Sequence, residues 1–192
     1  MPSLVLASSS PYRRALLERL DLPFICATPD IDETPVAGEN AEQLTLRLAL
    51  NKARALIDQF PEHLIIGSDQ VLLLDGQPVS KPGNHQAATT QLQRCSGRTV
   101  RFTTALCLFN STTGHYQLAS EPFDVSFREL SPESIERYLH KEQPYDCAGS
   151  FKIEGLGISL FRALRGDDPN SLIGLPLIRL CEMLRKEGIA LP

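Results

Sequence analysis

The chain has 192 residues, 42% hydrophobic and 22% charged, a length that fits one substantial core and argues against two large independent domains. A net charge of −4 and a pI near 5.6 exclude the broad basic face of a duplex nucleic-acid binder, so cations that matter must be focused locally. Five scattered cysteines without a CxxC suggest neither a disulfide framework nor a zinc site. No apolar run approaches the ~20 residues of a membrane span, and the N-terminus is unlike a signal peptide, so a cytoplasmic setting without a membrane partner is expected.

In chain order, "SLVLAS" reads as a short buried strand. Ser10 and Pro11 then start a helix as N-cap and first helical residue, with Ala15, Leu16 and Leu20 at helical spacing before Asp21 and Pro23. "FICAT" reads as a second strand and "PDIDETPVAGEN" as a carboxylate-rich loop. Residues from about 41 to 60 give the longest amphipathic pattern, with Leu44, Leu48, Leu56 and Phe60 on its apolar side. "HLIIGSD" is expected to be a strand with Asp69 and Gln70 at its tip, followed by a hairpin through "VLLLDGQPVSKP" turning at Asp75-Gly76.

A helix is expected from about His85 to Cys95, stopped by Gly97. Residues 99–130 read as two antiparallel strands around "NSTTGH". "SPESIERYLHKE" restarts a helix with a Ser-x-x-Ser opening and Pro132 at its first position. A loop through "YDCAGSFKIEGLG" precedes a closing helix over "LIGLPLIRLCEMLRKEG". Strands and helices alternate around an antiparallel middle, which predicts an α/β fold on a mixed central sheet with flanking helices.

Two segments invite chemistry. The turn "SSSPYRR" joins a strand to a helix N-terminus, where unpaired N–H groups and the helix dipole favour an anion, and Arg13 adds a planar fork suited to phosphate. The ordinary alternative is a solvated first-turn arginine, and the spacing of a P-loop is absent. In "IIGSDQV", Asp69 suits either a metal or a general base, against the commoner role of a turn aspartate.

Asp30, Asp32 and Glu33 share one loop and are hard oxygen donors suited to Mg²⁺ or Mn²⁺, or simply a solvated acidic loop. Lys52 and Lys81 are of the kind used as point charges on phosphate, though most lysines are surface charges. The four histidines, His63, His85, His115 and His140, are dispersed and show no metal-ligand spacing.

Taken in order, "SSSPYRR", "IDET", "NKA", "GSDQV", "SKP", "CAGSFKIEG" and "GLPL" resemble the Maf nucleotide pyrophosphatases across essentially the whole chain, and within them the YceF-like branch that acts on 7-methyl-GTP. The resemblance implies a single Maf-like domain over residues 1–192, related in fold to the inosine triphosphate pyrophosphatases, with two lobes around a nucleotide cleft. It implies a nucleotide substrate, a divalent cation, Mg²⁺ or Mn²⁺, as cofactor, no nucleic-acid partner, and it allows a homodimer.

Carried over residue by residue, the family pattern makes Asp69 the proton acceptor. It gives Ser8, Arg13, Lys52 and Lys81 to substrate phosphate, and Glu33 with Asp69 to the metal. Tyr12, Gln70 and Glu154 fall where specificity is set. A Tyr12 ring face attracts the positive charge of 7-methylguanine, and Glu154 can accept from its hydrogen-bonding edge. The alternatives are the dTTP and UTP activity of the sister branch and a non-catalytic nucleotide-binding regulator of cell division.

Overall fold

The structure is a computed structural model and describes residues 3–192. In chain order its elements are β1 (Ser3–Ala7), α1 (Pro11–Glu18), β2 (Phe24–Ala27), α2 (Ala41–Arg54), β3 (His63–Leu74), β4 (Gln77–Val79), α3 (His85–Cys95), β5 (Thr99–Asn110), β6 (Tyr116–Phe127), α4 (Pro132–Glu142), β7 (Phe161–Arg165), α5 (Pro169–Ile173) and α6 (Leu177–Lys186). The chain divides into two compact units. The first takes the chain up to Gln70, Thr103–Glu121 and Asp168 onward; the second takes Val71–Phe102 and Pro122–Asp167. Among the described residues no helix is long and apolar enough to cross a membrane.

In the first unit the strands run in the order β2, β1, β3, β5, β6, and β1 pairs in parallel with both β2 and β3. Strand alternation sorts the side chains by face. Leu4, Leu6, Leu64, Ile66, Leu106 and Leu108 pack with Leu16 and Leu17 of α1 and with Leu177, Leu180, Met183 and Leu184 of α6. Val5, Ala7, Ile65, Ala105, Cys107 and Phe109 pack instead with Ala49 and Ala53 of α2. The result is three layers, with the sheet in the middle and buried on both sides, as parallel strands require.

Gly67 fixes how closely α2 can lie on β3. A Cβ at this position would fall 2.0 Å from the Ala49 carbonyl oxygen, an impossible contact, so only glycine admits the helix backbone here.

In the second unit the order is β4, β3, β5, β6, β7. The hairpin of β3 and β4 turns at Asp75 and Gly76, both at positive φ (55° and 74°), the conformation of the Asp-Gly turn expected from the sequence. Cross-strand contacts Thr99–Ser126 and Arg101–Asp124 set β5 and β6 antiparallel. Phe102, Phe127, Phe151 and Phe161 meet edge to face, with centroids 4.8 to 5.8 Å apart, the geometry favoured by the ring quadrupole.

Three expectations are corrected. The amphipathic segment from residue 41 is helical only to Arg54. Leu56 and Ile57 bond to Ala53 and Arg54, three residues back, and Phe60 turns to offer its carbonyl to Ser111 Oγ at 2.6 Å. Pro61 ahead disfavours helix at Phe60 in any case.

Next, β3 does not end at Asp69 and Gln70 but runs through them as one twelve-residue strand. Both polar side chains find partners, so their polarity does not interrupt a backbone ladder. Finally, the closing helix is two helices. Gly174 at φ 117° caps α5, and Pro176 precedes α6. The short strand β7 and the start of α5, from Pro169 to Ser171, lie outside the elements expected from the sequence.

Candidate active site

Asp69 lies on the face of β3 that meets α2, in step with Ile65 and Gly67. One turn along α2 from Ala49, Lys52 comes down beside it. Its Nζ donates to Asp69 Oδ1 at 2.6 Å and lies 2.9 Å from Glu33 Oε1. Lys52 and Asp69 are 7% and 8% exposed, whereas the Glu33 side chain is 58% exposed. The cluster is therefore a buried ion pair with a third, solvated carboxylate at its edge.

Burial pushes the Asp69 carboxyl above its ordinary pKa, against the opposing pull of Lys52 and Arg13, while Glu33 adds to the rise. A charged group taken out of water disfavours its charged form, and a nearby cation restores it. Burial likewise lowers the Arg13 guanidinium pKa, opposed by the fields of Asp69 and Glu33; a guanidinium remains cationic under such a shift.

Arg13 sits in the first turns of α1, whose N-cap is Ser10 as expected: Ser10 Oγ accepts from the Arg13 amide at 3.3 Å. Ser8 is buried and accepts from the Ser10 amide at 3.1 Å. The three-serine turn is thus organised by its own hydroxyls. Arg13 Nε donates to the Gly174 carbonyl at 2.8 Å, which fixes the guanidinium near Asp69. The same carbonyl accepts from Ser68 Oγ at 2.9 Å. Ser68 faces away from α2, because strand alternation sends Ile66, Ser68 and Gln70 to the side of α5 and α6.

A family model described as Maf-like protein matches residues 3–187. The chain belongs to the Maf family. A protein of Pseudomonas savastanoi pv. phaseolicola called 7-methyl-GTP pyrophosphatase is 61% identical over 192 residues, covering 100% of both chains. Among solved structures, one from Vibrio cholerae matches with a TM-score of 0.47 and 13% identity over 99% of each chain. The Ham1 protein of Staphylococcus aureus matches with a TM-score of 0.44 and 16% identity over 65% of this chain and 71% of that one.

Of the residues singled out from the sequence, the structure brings Arg13, Glu33, Lys52 and Asp69 into one electrostatic cluster within the first unit, beside the Ser8 turn. Tyr12 is half-buried in the first turn of α1. The Gln70 amide nitrogen donates to Thr104 Oγ1 at 2.9 Å and to the Ser171 and Leu172 carbonyls at 2.8 and 3.1 Å, so it anchors α5. Asp30 is exposed, and Asp32 accepts from the Thr34 amide at 2.9 Å, shaping the loop that carries Glu33. Lys81 and Glu154 belong to the second unit, where both are exposed.

Asp168 was missed. It is 2% exposed, and its carboxylate accepts from the Asn170 amide and Nδ2 at 2.8 and 2.7 Å and from the Ile178 amide at 2.8 Å. One side chain thereby caps α5 and α6 together and sets the segment that holds Gly174 against Arg13. The signal was present: Asp168-Pro169 repeats the cap-then-proline pattern of Ser10-Pro11 and Ser131-Pro132.

Glu33 and Asp69 converge on one cationic point, the Lys52 ammonium. Two carboxylates aimed at a shared positive charge are a hard-oxygen donor pair of the kind that suits Mg²⁺ or Mn²⁺ beside substrate phosphates. The residues fit such an ion.

Proposed function

We propose that this chain is a nucleoside triphosphate pyrophosphatase that hydrolyses 7-methyl-GTP to 7-methyl-GMP and pyrophosphate, acting as a single Maf-like domain in the cytoplasm. The observation that carries the reading is the Asp69 carboxylate, buried in a rigid strand and held 2.6 Å from Lys52 Nζ. The full-length relative of that name supports the choice of substrate.

The chemistry follows from the residues. A base must be ionised, yet close enough to the operating pH to take a proton as its partner reacts. Burial raises the Asp69 pKa in the direction such a base needs, while the pairing with Lys52 favours the charged form. Asp69 takes the proton of the water that attacks the α-phosphorus. Lys52 and Arg13 offset negative charge as the pyrophosphate departs, and preorganised cations of this kind act most strongly where water is excluded. The Ser8 hydroxyl offers a further polar contact to phosphate.

Glu33 and Asp69 would hold the divalent ion, Mg²⁺ or Mn²⁺, which when bound supplies Lewis-acid polarisation of a phosphoryl oxygen. Lys81 enters as a further phosphate contact through the family pattern. Tyr12 gives a ring face to the cationic 7-methylguanine, worth about 0.5 to 2 kcal/mol in comparable cation–π contacts. Glu154 offsets the same charge by accepting from the base edge. Gln70 supports the pocket by holding α5.

Pyrophosphate release from 7-methyl-GTP, GTP, dTTP and UTP, measured side by side with Mg²⁺ or Mn²⁺ and with chelator, tests the proposal. A metal-dependent preference for 7-methyl-GTP is expected. Preference for dTTP or UTP would overturn the roles of Tyr12 and Glu154. No release from any of them would favour a nucleotide-binding regulator.

A further inference from the structure

The histidines, dispersed in sequence, are not all dispersed in space. In the second unit His85, Glu136 and His140 present ligand atoms that all lie within 4.8 Å of one another. Glu136 and His140 stand four residues apart on α4, so the carboxylate and the imidazole share one helix face. His85, the first residue of α3, closes on them from the neighbouring helix. Its Nε2 lies 2.8 Å from Glu136 Oε2, His140 Nε2 lies 3.7 Å from the same oxygen, and the two imidazole centroids are 5.1 Å apart.

Two of the spacings come close to those of a metal centre. Ligand bonds of about 2.0–2.2 Å in a tetrahedral site set donor atoms roughly 3.3–3.5 Å apart, and the observed 2.8 and 3.7 Å straddle that value. The supporting layer is also in place. Tyr145 Oη lies 3.0 Å from His85 Nδ1, so Nδ1–H can donate to it and leave the Nε2 lone pair for an ion. Thr89 Oγ1 donates to Glu136 Oε1 at 3.2 Å, orienting the carboxylate. Such outer partners are what fix tautomer and aim in ligating histidines.

We propose that His85, Glu136 and His140 bind a divalent transition metal of the zinc class, clamping the first turn of α3 to the last turn of α4. Two imidazole nitrogens and one carboxylate oxygen suit Zn²⁺, Co²⁺, Ni²⁺ or Cu²⁺, whereas Mg²⁺ and Mn²⁺ prefer all-oxygen sets. The site is therefore chemically distinct from the carboxylate pair Glu33 and Asp69. Three protein ligands leave the fourth position to water. The inference does not depend on the pyrophosphatase reading.

The test is titration of the untagged, metal-stripped full chain with Co²⁺, followed by displacement with Zn²⁺. Co²⁺ should bind with the strong visible absorption of a four- or five-coordinate nitrogen and oxygen site, an absorption that saturates at one equivalent beyond any ion held by Glu33 and Asp69, and Zn²⁺ should displace it and raise the Tm. His85→Ala, Glu136→Gln and His140→Ala should each weaken binding by at least about tenfold, and Tyr145→Phe by about tenfold, the usual cost of an outer partner. The His140 side chain is 74% exposed, so His140→Ala should keep the fold and remain informative. Absence of saturable binding would overturn the proposal. So would binding that these substitutions leave unchanged, or a thiolate-to-cobalt charge-transfer band, which would place the ion on cysteine.

Discussion

The Lys52–Asp69 pair of the first unit and the Arg101–Asp124 pair of the second have nearly the same geometry, 2.6 and 2.7 Å, and opposite surroundings. The first is buried. In the second, the Arg101 side chain is 61% exposed, and its partner's carboxyl is held below the ordinary range by the hydrogen bond from Arg101. Asp69, with an equally close cation, is displaced upward because burial outweighs the pairing. Distance alone does not tell a structural salt bridge from a base; the solvent around it does.

The comparison breaks most visibly if Lys52 is removed. Lys52→Met leaves a buried carboxylate without its cation, and we expect a loss of about 3–5 kcal/mol in urea unfolding. The double variant Lys52→Met/Asp69→Leu should recover most of it, since two apolar groups replace the pair without an orphaned charge. Failure of that recovery would mean Lys52 matters chiefly for packing.

Asp168→Ala removes a carboxylate that caps two helices at once and should cost about 1–2 kcal/mol. It should also lower activity by loosening the Gly174 carbonyl against Arg13, and Asp168→Asn, with one acceptor oxygen in place of two, should keep only one of the two caps and fall between wild type and Asp168→Ala.

The pH profile sharpens the same contrast. The raised Asp69 pKa means that the folded state holds this proton more tightly than the unfolded chain does. Its contribution to stability is present below the unfolded pKa and is lost as pH rises through the folded one. Activity has the opposite need, because the base must be deprotonated. The acid limb of kcat/KM should therefore lie above the ordinary aspartate range. An acid limb at or below that range would contradict the role of burial. At the small end, Arg101→Ala should change stability by less than about 1 kcal/mol, as solvated pairs do.

What was legible in the sequence was local. Ser10-Pro11, Ser131-Pro132 and Asp75-Gly76 announced two helix starts and a hairpin, because caps and turns are chosen by neighbouring residues. Asp69 and Lys52 stood out through the ordered family motifs, but their pairing spans 17 positions and depends on Gly67 admitting α2, which no local pattern reveals. The continuity of β3 was hidden by two polar residues whose partners, Lys52 and the Thr104–Ser171–Leu172 group, are remote. "FRALR" lacks apolar alternation, so β7 went unseen. His85 and the Glu136–His140 pair are brought together only by the packing of α3 on α4, so a reading of the histidines along the sequence finds no ligand spacing.

The most direct measurement is Asp69→Asn. The substitution keeps the shape of the side chain and removes its charge. Turnover of 7-methyl-GTP should fall by about 10²–10⁴-fold, the usual worth of a general base, while binding of the nucleotide, measured calorimetrically, persists. Turnover preserved in Asp69→Asn would contradict the account and remove Asp69 from the reaction.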